Sequence, residues 1–368
     1  MLKEISVTNY KGFKDEISFD FSEYKEYKFN EFAIKNDLIK LAIIYGKNGS
    51  GKSNFGLAIF DLTTHLIDKT KSEIQGGNYL NGDSDLDYAT FKYVFKFDDV
   101  LVTYGYSKKA IDVLEYEELY VNDAKVFSYN FSNHKGDFSG LNIIDAGTLN
   151  IDQRMNISVL RFIAHNANIS GDNIIFKLMK FINGMLWFRS TTDGNDYIGF
   201  KSDREKLINS IIETDKVTEF QQFLKSKNLD YDLEVVKNEV GEENLVAKFA
   251  HKNYNFYQIA SHGTRALLLY YFWSLKFAEA SFVFIDEYDA FFHHALAKDL
   301  FLQLAKSIDM QFLITTHNTD LMSNNILRPD CYLIISDNKI KSLPNCTERE
   351  LREGHNLAKI LKSGGFNG

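Results

Sequence analysis

Four short stretches carry residues whose types and spacing can do chemistry. The first, Gly46-Lys47-Asn48-Gly49-Ser50-Gly51-Lys52-Ser53, fits G-x-x-x-x-G-K-[ST] at every fixed position. Its glycines let the backbone wrap an anion closely. The first N–H groups of a following helix point at phosphates, helped by the helix dipole. Lys52 can reach β- and γ-phosphates and the Ser53 hydroxyl can ligate Mg2+; Asn48, Ser50 and Asn54 fill out the candidate contact set. The second, SFVFIDE, is an apolar run ending in Asp286 and Glu287. Acids at the carboxyl edge of a buried strand stand where a parallel α/β sheet builds its site. Asp286 is expected to hold Mg2+, directly or through water, and Glu287 to act on the attacking water as base or orienter. The third, ITTH, places His317 at the end of the next expected strand, where its ring can hydrogen-bond a γ-phosphate. The fourth, SHGTR, precedes an apolar helix. There Ser261 and Gly263 read equally as an anion-binding helix N-terminus or as a capping Ser and a turn Gly.

The surrounding patterns supply the elements that position these residues. Leu41 to Tyr45 is an apolar, β-branched run directly before Gly46. Phe55, Ala58, Ile59, Leu62 and Leu66 recur at helical intervals after Ser53. LKEISVTNY and KGFKDEISFDF read as two strands joined by a tight turn at Lys11-Gly12, and 69–88 as a polar surface loop. TFKYVFKF, VLVTYGYS, LEYEELYVN and KVFSYN predict an antiparallel meander. ISVLRFIAHNA, IIFKLMKFINGMLWF and REKLINSIIETDKVTEFQQFLKSKN predict helices without a sustained heptad. DLEVVKNEV and NLVAKFAH return to strand, DAFFHHALAKDLFLQLAKSI predicts an amphipathic helix, and CYLIIS a last buried strand. These elements divide the chain into an N-terminal phosphate-loop lobe at 1–150, a compact helical insertion at 151–230 and a C-terminal lobe at 231–368. The expected fold class is α/β, a phosphate-loop nucleoside-triphosphatase fold with a mixed sheet and an antiparallel β meander.

Composition narrows the setting. The 368 residues are 45% hydrophobic and 25% charged, ordinary for a globular protein with a substantial core. A net charge of −8 argues against a uniformly basic nucleic-acid binder. Two cysteines, Cys331 and Cys346, make no disulfide framework. No apolar run is long enough to span a bilayer and no signal-peptide core opens the chain, so a soluble cytoplasmic protein without membrane partners is expected. His293 and His294, adjacent on a helix, are poor joint metal ligands. The run Tyr270 to Trp273 reads as core. Arg154, Arg161, Lys177, Lys180 and Arg189 read as a solvated helix face, with a nucleic-acid groove as the alternative.

The order of phosphate loop, SHGT, FVFIDE and TTH resembles the ATP-binding-cassette class of ATPases. The opening LKEISVTNYKGF is similar to the start of its SMC, RecF and OLD-type members. SHGTRALL, with His262 where the transporter signature LSGGQ has its first Gly, is similar to the S-x-G-T variant of the stand-alone ATPases of the AAA-15 or AAA-21 type, many of them in bacterial anti-phage systems. DEYDAFFHH and the ending RELREGHNLAKILKSGGFNG also resemble that group. The resemblance implies ATP and Mg2+ at Gly46, Gly49, Gly51, Lys52 and Ser53, with Asp286 as the metal-binding acid, Glu287 as the catalytic acid and His317 as the switch histidine. It implies that Ser261 and Gly263 contact the nucleotide of a second subunit, so that ATP is sandwiched in a homodimer or higher oligomer. Lys11 stands where relatives often carry Arg near the nucleotide. Gln75 has the distance from the phosphate loop expected of a glutamine-bearing loop but lacks a flanking strand. The chain shows no nuclease constellation, so the resemblance implies a separate effector protein controlled by ATP-driven dimerisation. A RecF- or SMC-like DNA clamp is the alternative.

Overall fold

The computed structural model describes residues 1–67, 73–151, 154–167, 170–190, 195–199, 207–238 and 241–366. In chain order its elements begin with β1 (Leu2–Thr8), β2 (Ile17–Asp20), a short ribbon of β3 (Ile34–Lys35) and β4 (Leu38–Ile39), β5 (Leu41–Tyr45), α1 (Lys52–Leu66) and α2 (Glu73–Gly76). The meander follows as β6 (Ala89–Phe97), β7 (Val100–Ala110), β8 (Val113–Val121), β9 (Ala124–Asn130) and β10 (Lys135–Asp137). Then come α3 (Val159–Asn166), α4 (Ile174–Asn183), β11 (Met185–Ser190), β12 (Asn195–Gly199), α5 (Leu207–Glu213) and α6 (Val217–Ser226). A small sheet of β13 (Leu233–Lys237), β14 (Glu243–Lys248) and β15 (Asn253–Asn255) leads to α7 (Phe256–Ile259) and α8 (His262–Ser274). The chain closes with β16 (Phe282–Asp286), α9 (His294–Ser307), β17 (Gln311–Thr315), β18 (Tyr332–Ser336), β19 (Lys339–Ser342) and α10 (Leu357–Lys362).

Two sheets enclose α1. One is antiparallel throughout, in the order β10-β9-β8-β7-β6-β1-β2. The other runs β12-β11-β16-β17-β5-β18-β19; its five inner strands are parallel and its two edges antiparallel. Parallel strands are covered on both faces, so they read as continuous apolar runs, and β5, β16 and β17 are buried at every position. Phe60 of α1 packs on Phe282 of β16, and a Cβ on Gly56 would stand 2.5 Å from the Phe284 ring, so only glycine allows this approach of helix to sheet. On the opposite side Tyr93 of β6 donates its hydroxyl to Ala58 O of α1 at 2.7 Å. A helix wedged between two sheets is buried nearly all round. Fully buried side chains such as Phe55, Ile59 and Leu62 each contribute roughly 1.5–3 kcal/mol. That seat holds the start of α1, and Lys52 with it, in place. Gln311 ties the sheets at a second point, accepting from Leu2 N at 2.7 Å and donating to Leu2 O at 2.8 Å.

A buried polar network also runs outward from α1. Asp61, fully buried, accepts from Lys108 Nζ at 2.7 Å, Tyr106 Oη at 2.8 Å and Tyr79 Oη at 3.0 Å. One turn on, the His65 ring bonds the Tyr104 hydroxyl, which donates to Glu117 Oε1 at 2.8 Å. Glu117 in turn accepts the first amides of α3, from Val159 at 2.7 Å and Leu160 at 3.0 Å, together with the Ser158 hydroxyl at 2.7 Å. A carboxylate on the antiparallel sheet thus satisfies a helix N-terminus that would otherwise be buried without partners.

Several stretches differ from expectation. The helix expected over 174–188 ends at Asn183, and Gly184 is followed by β11, because Leu186, Trp187 and Phe188 pair in parallel with β16. The single helix expected over 204–228 is two, α5 and α6, separated where Asp215 adopts φ +54°; its first residues lie outside the described ones. The loop expected at 69–88 carries α2, and Tyr79 and Gln75 there are buried. Residues 69–72 lie outside the described ones.

Candidate active site

The parallel sheet delivers its functional residues by register. β5 ends at Tyr45 and hands the chain to the glycine loop; β16 ends at Asp286 and its neighbour β17 at Thr315. Both flank the same carboxyl edge, where an open α/β sheet places its ligands. A cleft of about 370 Å³ results. It is lined by Asn48, Gly49, Ser50, Gly51, Lys52, Ser53 and Asn54 on one side and by Asp286, Glu287 and His317 on the other.

The loop has the form an anion needs. Gly49 and Gly51 adopt φ +77° and +102°, left-handed conformations in which a side chain is strained. Gly51 directly precedes α1, and a Cβ there would stand 2.6 Å from the Phe13 ring. The first amides of α1 have no intrahelical acceptor. Ser50 Oγ is buried without a hydrogen-bond partner among the described residues. Lys52 bends back over the loop, donating to Gly46 O at 2.9 Å and Lys47 O at 3.3 Å and meeting His317 Nε2 at 3.0 Å. All three are neutral acceptors when the imidazole is neutral. Burial lowers the Lys52 ammonium pKa, and nearby Asp286 and Glu287 oppose that shift. Burial, followed by Lys52, likewise lowers His317 below its ordinary value, which favours the neutral ring that can accept from the ammonium. A buried cation held by neutral groups is prepared for a phosphate, which offers it full negative charge.

Opposite the loop, Asp286 is fully buried and both its oxygens are engaged. Thr315 Oγ1 donates to Oδ1 at 2.8 Å and Arg189 Nε donates to Oδ2 at 3.1 Å. Thr315 Oγ1 also accepts the Glu287 amide at 2.8 Å. Glu287 is exposed to the cleft and adopts φ +53°, rare for a residue with a side chain. Tyr288 N–H donates to Thr315 O at 3.0 Å, and Thr316 Oγ1 donates to Asp289 Oδ1 at 2.6 Å, so the turn after β16 is tied to the segment carrying His317. Thr315, Thr316 and Arg189 were not singled out for these roles from sequence. Thr315 and Thr316 are the TT of the TTH signal. Arg189, expected on a solvated helix face, instead stands one residue before the end of β11, opposite Asp286 in the parallel register, a position visible only once the sheet order is known. With phosphate oxygens and water completing the set, the Ser53 hydroxyl and the Asp286 carboxylate are the oxygen donors that suit Mg2+.

Other expected residues lie elsewhere. Lys11 does not line the cleft; with φ +49° at the expected tight turn, its ammonium donates to Gly77 O at 2.7 Å. Its neighbours do touch the loop, Phe13 at Gly51 and Gly12 at Asn54. Gln75 turns away into α1, donating to Phe60 O at 3.1 Å, and so cannot be the glutamine of a nucleotide-facing loop. Ser261 and Gly263 stand outside the cleft on an exposed start of α8, where Ser261 Oγ caps the Thr264 amide at 3.1 Å. His293 caps α9, and no metal-holding group of three acids, histidines or cysteines is found among the described residues. The run Tyr270 to Trp273 is buried core.

The family described as "AAA domain, putative AbiEii toxin, Type IV TA system" matches residues 41–323. No curated protein matches the chain. Among solved structures it is similar to the SMC head domain from Thermotoga maritima, at 16% identity and TM-score 0.41, covering 93% of this chain and 97% of that one. It is also similar to the recombination mediator RecF bound to ATPrS, at 14% identity and TM-score 0.42 over 93% and 98%. A third is the Smc head domain from Pyrococcus furiosus with an extended coiled coil, bound to the C-terminal domain of ScpA, at 16% identity and TM-score 0.40 over 98% of each chain.

Proposed function

The chain belongs to this AAA-domain family of ATPases, and from that premise we propose that its cleft binds ATP with Mg2+ and hydrolyses the β–γ phosphate bond. The observation that carries the proposal is the convergence of the glycine loop, Lys52, Asp286, Glu287 and His317 on one cleft. The loop amides and Lys52 hold the phosphates, and the ammonium exchanges its neutral carbonyl partners for phosphate oxygens. Ser53 and Asp286 would hold the metal, which when bound neutralises charge developing on the phosphates. Glu287, fixed through its own amide by Thr315, orients and deprotonates the attacking water. His317, neutral and already within reach of Lys52, hydrogen-bonds the terminal phosphate.

We further propose that Ser261 and Gly263 serve the nucleotide of a second copy, which makes the ATP-bound form a homodimer. Ser261 is exposed, Gly263 is half-buried, and neither lines their own cleft, which supports this reading. The dimer would control a separate effector protein in anti-phage defence; the family's description, a putative toxin of a Type IV TA system, links it to a two-component system. Among the described residues no helix is long and apolar enough to cross a membrane. Of the basic residues considered for a DNA groove, Arg189 is committed to Asp286, which removes it from such a surface.

The test is sizing of the Glu287→Gln protein with and without Mg–ATP, with its genomic neighbour co-expressed. A nucleotide-dependent dimer carrying the neighbour's product is expected. A monomer under both conditions sinks the sandwich. Turnover stimulated by DNA with steep salt dependence replaces the effector switch with a clamp.

A further inference from the structure

Arg189 is placed where no part of the proposed chemistry asks for a cation. β11 pairs with β16 in parallel, in register Arg189↔Asp286, so both side chains emerge at the same level of the carboxyl edge. The guanidinium reaches across the strand pair to Asp286 Oδ2 at 3.1 Å and lies 5.5 Å from the centre of the Trp187 ring. Its side chain is 24% exposed, whereas that of Asp286 is 0% exposed. A fully buried carboxylate is stable as an ion only with a counter-charge, because desolvation costs several kcal/mol per ion. In the metal-free protein the cation in direct contact with it is Arg189, with Lys52 farther off.

Mg2+ on Asp286 would bring a second cation to the same buried carboxylate. Two cations on one carboxylate repel, and the hydrogen bond to Nε draws electron density from the oxygen that a metal would use. From this geometry we infer that Arg189 is a positioning residue that occupies Asp286 until metal and nucleotide arrive together and then yields it. The inference rests on the cleft being an ATP–Mg2+ site. It deepens that reading: loading of the metal is coupled to release of the tip of β11, so the edge of the sheet formed by β11 and β12 registers whether the site is filled.

The test compares the affinity of a fluorescent ATP analogue in MgCl2 with that in EDTA, for the native protein, Arg189→Gln and Arg189→Lys. The ratio of the two affinities reports metal coupling without reference to turnover. Removing the counter-charge leaves Asp286 free to repel phosphate without metal and to attract metal when it is present. The ratio for Arg189→Gln is therefore expected to rise roughly tenfold, the effect of one opposite charge at this range. Arg189→Lys, which keeps the charge, is expected to restore the native ratio within about threefold. An unchanged ratio in folded Arg189→Gln overturns the inference. Failure of the native protein to bind the analogue under either condition overturns the ATP reading instead. Should Arg189→Gln not fold, the native protein decides. Its Arg189 Nε–H proton, assigned by loss of the signal in Arg189→Lys, is expected to exchange slowly in EDTA and faster on addition of MgCl2 with a non-hydrolysable ATP analogue. Exchange that is unaffected by that addition contradicts the release.

Discussion

At the scale of single residues, the site combines strain with buried charge. Glu287 holds φ +53°, a left-handed conformation costing roughly 1–2 kcal/mol for a residue with a side chain. It is kept there by bonds from its own amide and that of Tyr288 to Thr315. Glu287→Gly is therefore expected to raise unfolding free energy by up to about 1 kcal/mol while abolishing hydrolysis. Denaturant unfolding that shows no gain would mean that the turn is not strained. His65 gives a pH signature. Burial first, then Lys108 and Arg161, holds its pKa well below the ordinary 6.5. The unfolded chain takes up a proton as pH falls through about 6.5, and the folded chain does not. The stabilising difference is thus present above that pH and is lost as pH falls toward the depressed folded value, by at most about 1.4 kcal/mol per unit. His65→Gln should flatten this acid slope in urea midpoints measured between pH 7 and 5; an unaltered slope would assign the acid sensitivity elsewhere. The loop, Asp286, Glu287 and His317 were legible in sequence because each follows an apolar strand whose end is marked by a change to polar residues. Arg189 was not, because its partner lies 97 residues away and is chosen by sheet order.

At the scale of elements, short-range pattern found most strands and helices, and misread those decided by neighbours. MLWF continues a helical spacing from α4, yet Met185 to Ser190 forms β11 because the parallel sheet has a free edge beside β16. Gln75 stands at a plausible distance from the loop, but only the packing of α2 on α1 shows that it faces inward. The cap on α3 is the clearest long-range case, since Glu117 on β8 meets the first amides of a helix more than forty residues on. Glu117→Ala would leave those amides, the Ser158 hydroxyl and the Tyr104 hydroxyl without their buried acceptor. We expect a loss of roughly 3–5 kcal/mol in urea unfolding. A loss below about 1 kcal/mol, as at an exposed cap, would show that this network contributes little to holding α3.

At the scale of the whole molecule, α1 is the shared part. Its first residues line the cleft, its middle lies between two sheets, and its last turn starts the polar chain that ends at α3. Changes at the nucleotide therefore have a rigid element through which to reach the antiparallel sheet and the helices beyond it. All of this depends on the cleft being an ATPase site. The most direct measurement is ATP binding and single-turnover hydrolysis for the native protein, Lys52→Ala and Glu287→Gln side by side. The account predicts binding and turnover for the native protein and loss of both in Lys52→Ala. It also predicts native binding with hydrolysis slowed by roughly 10²–10⁴ in Glu287→Gln. Native-rate hydrolysis by either variant would contradict it.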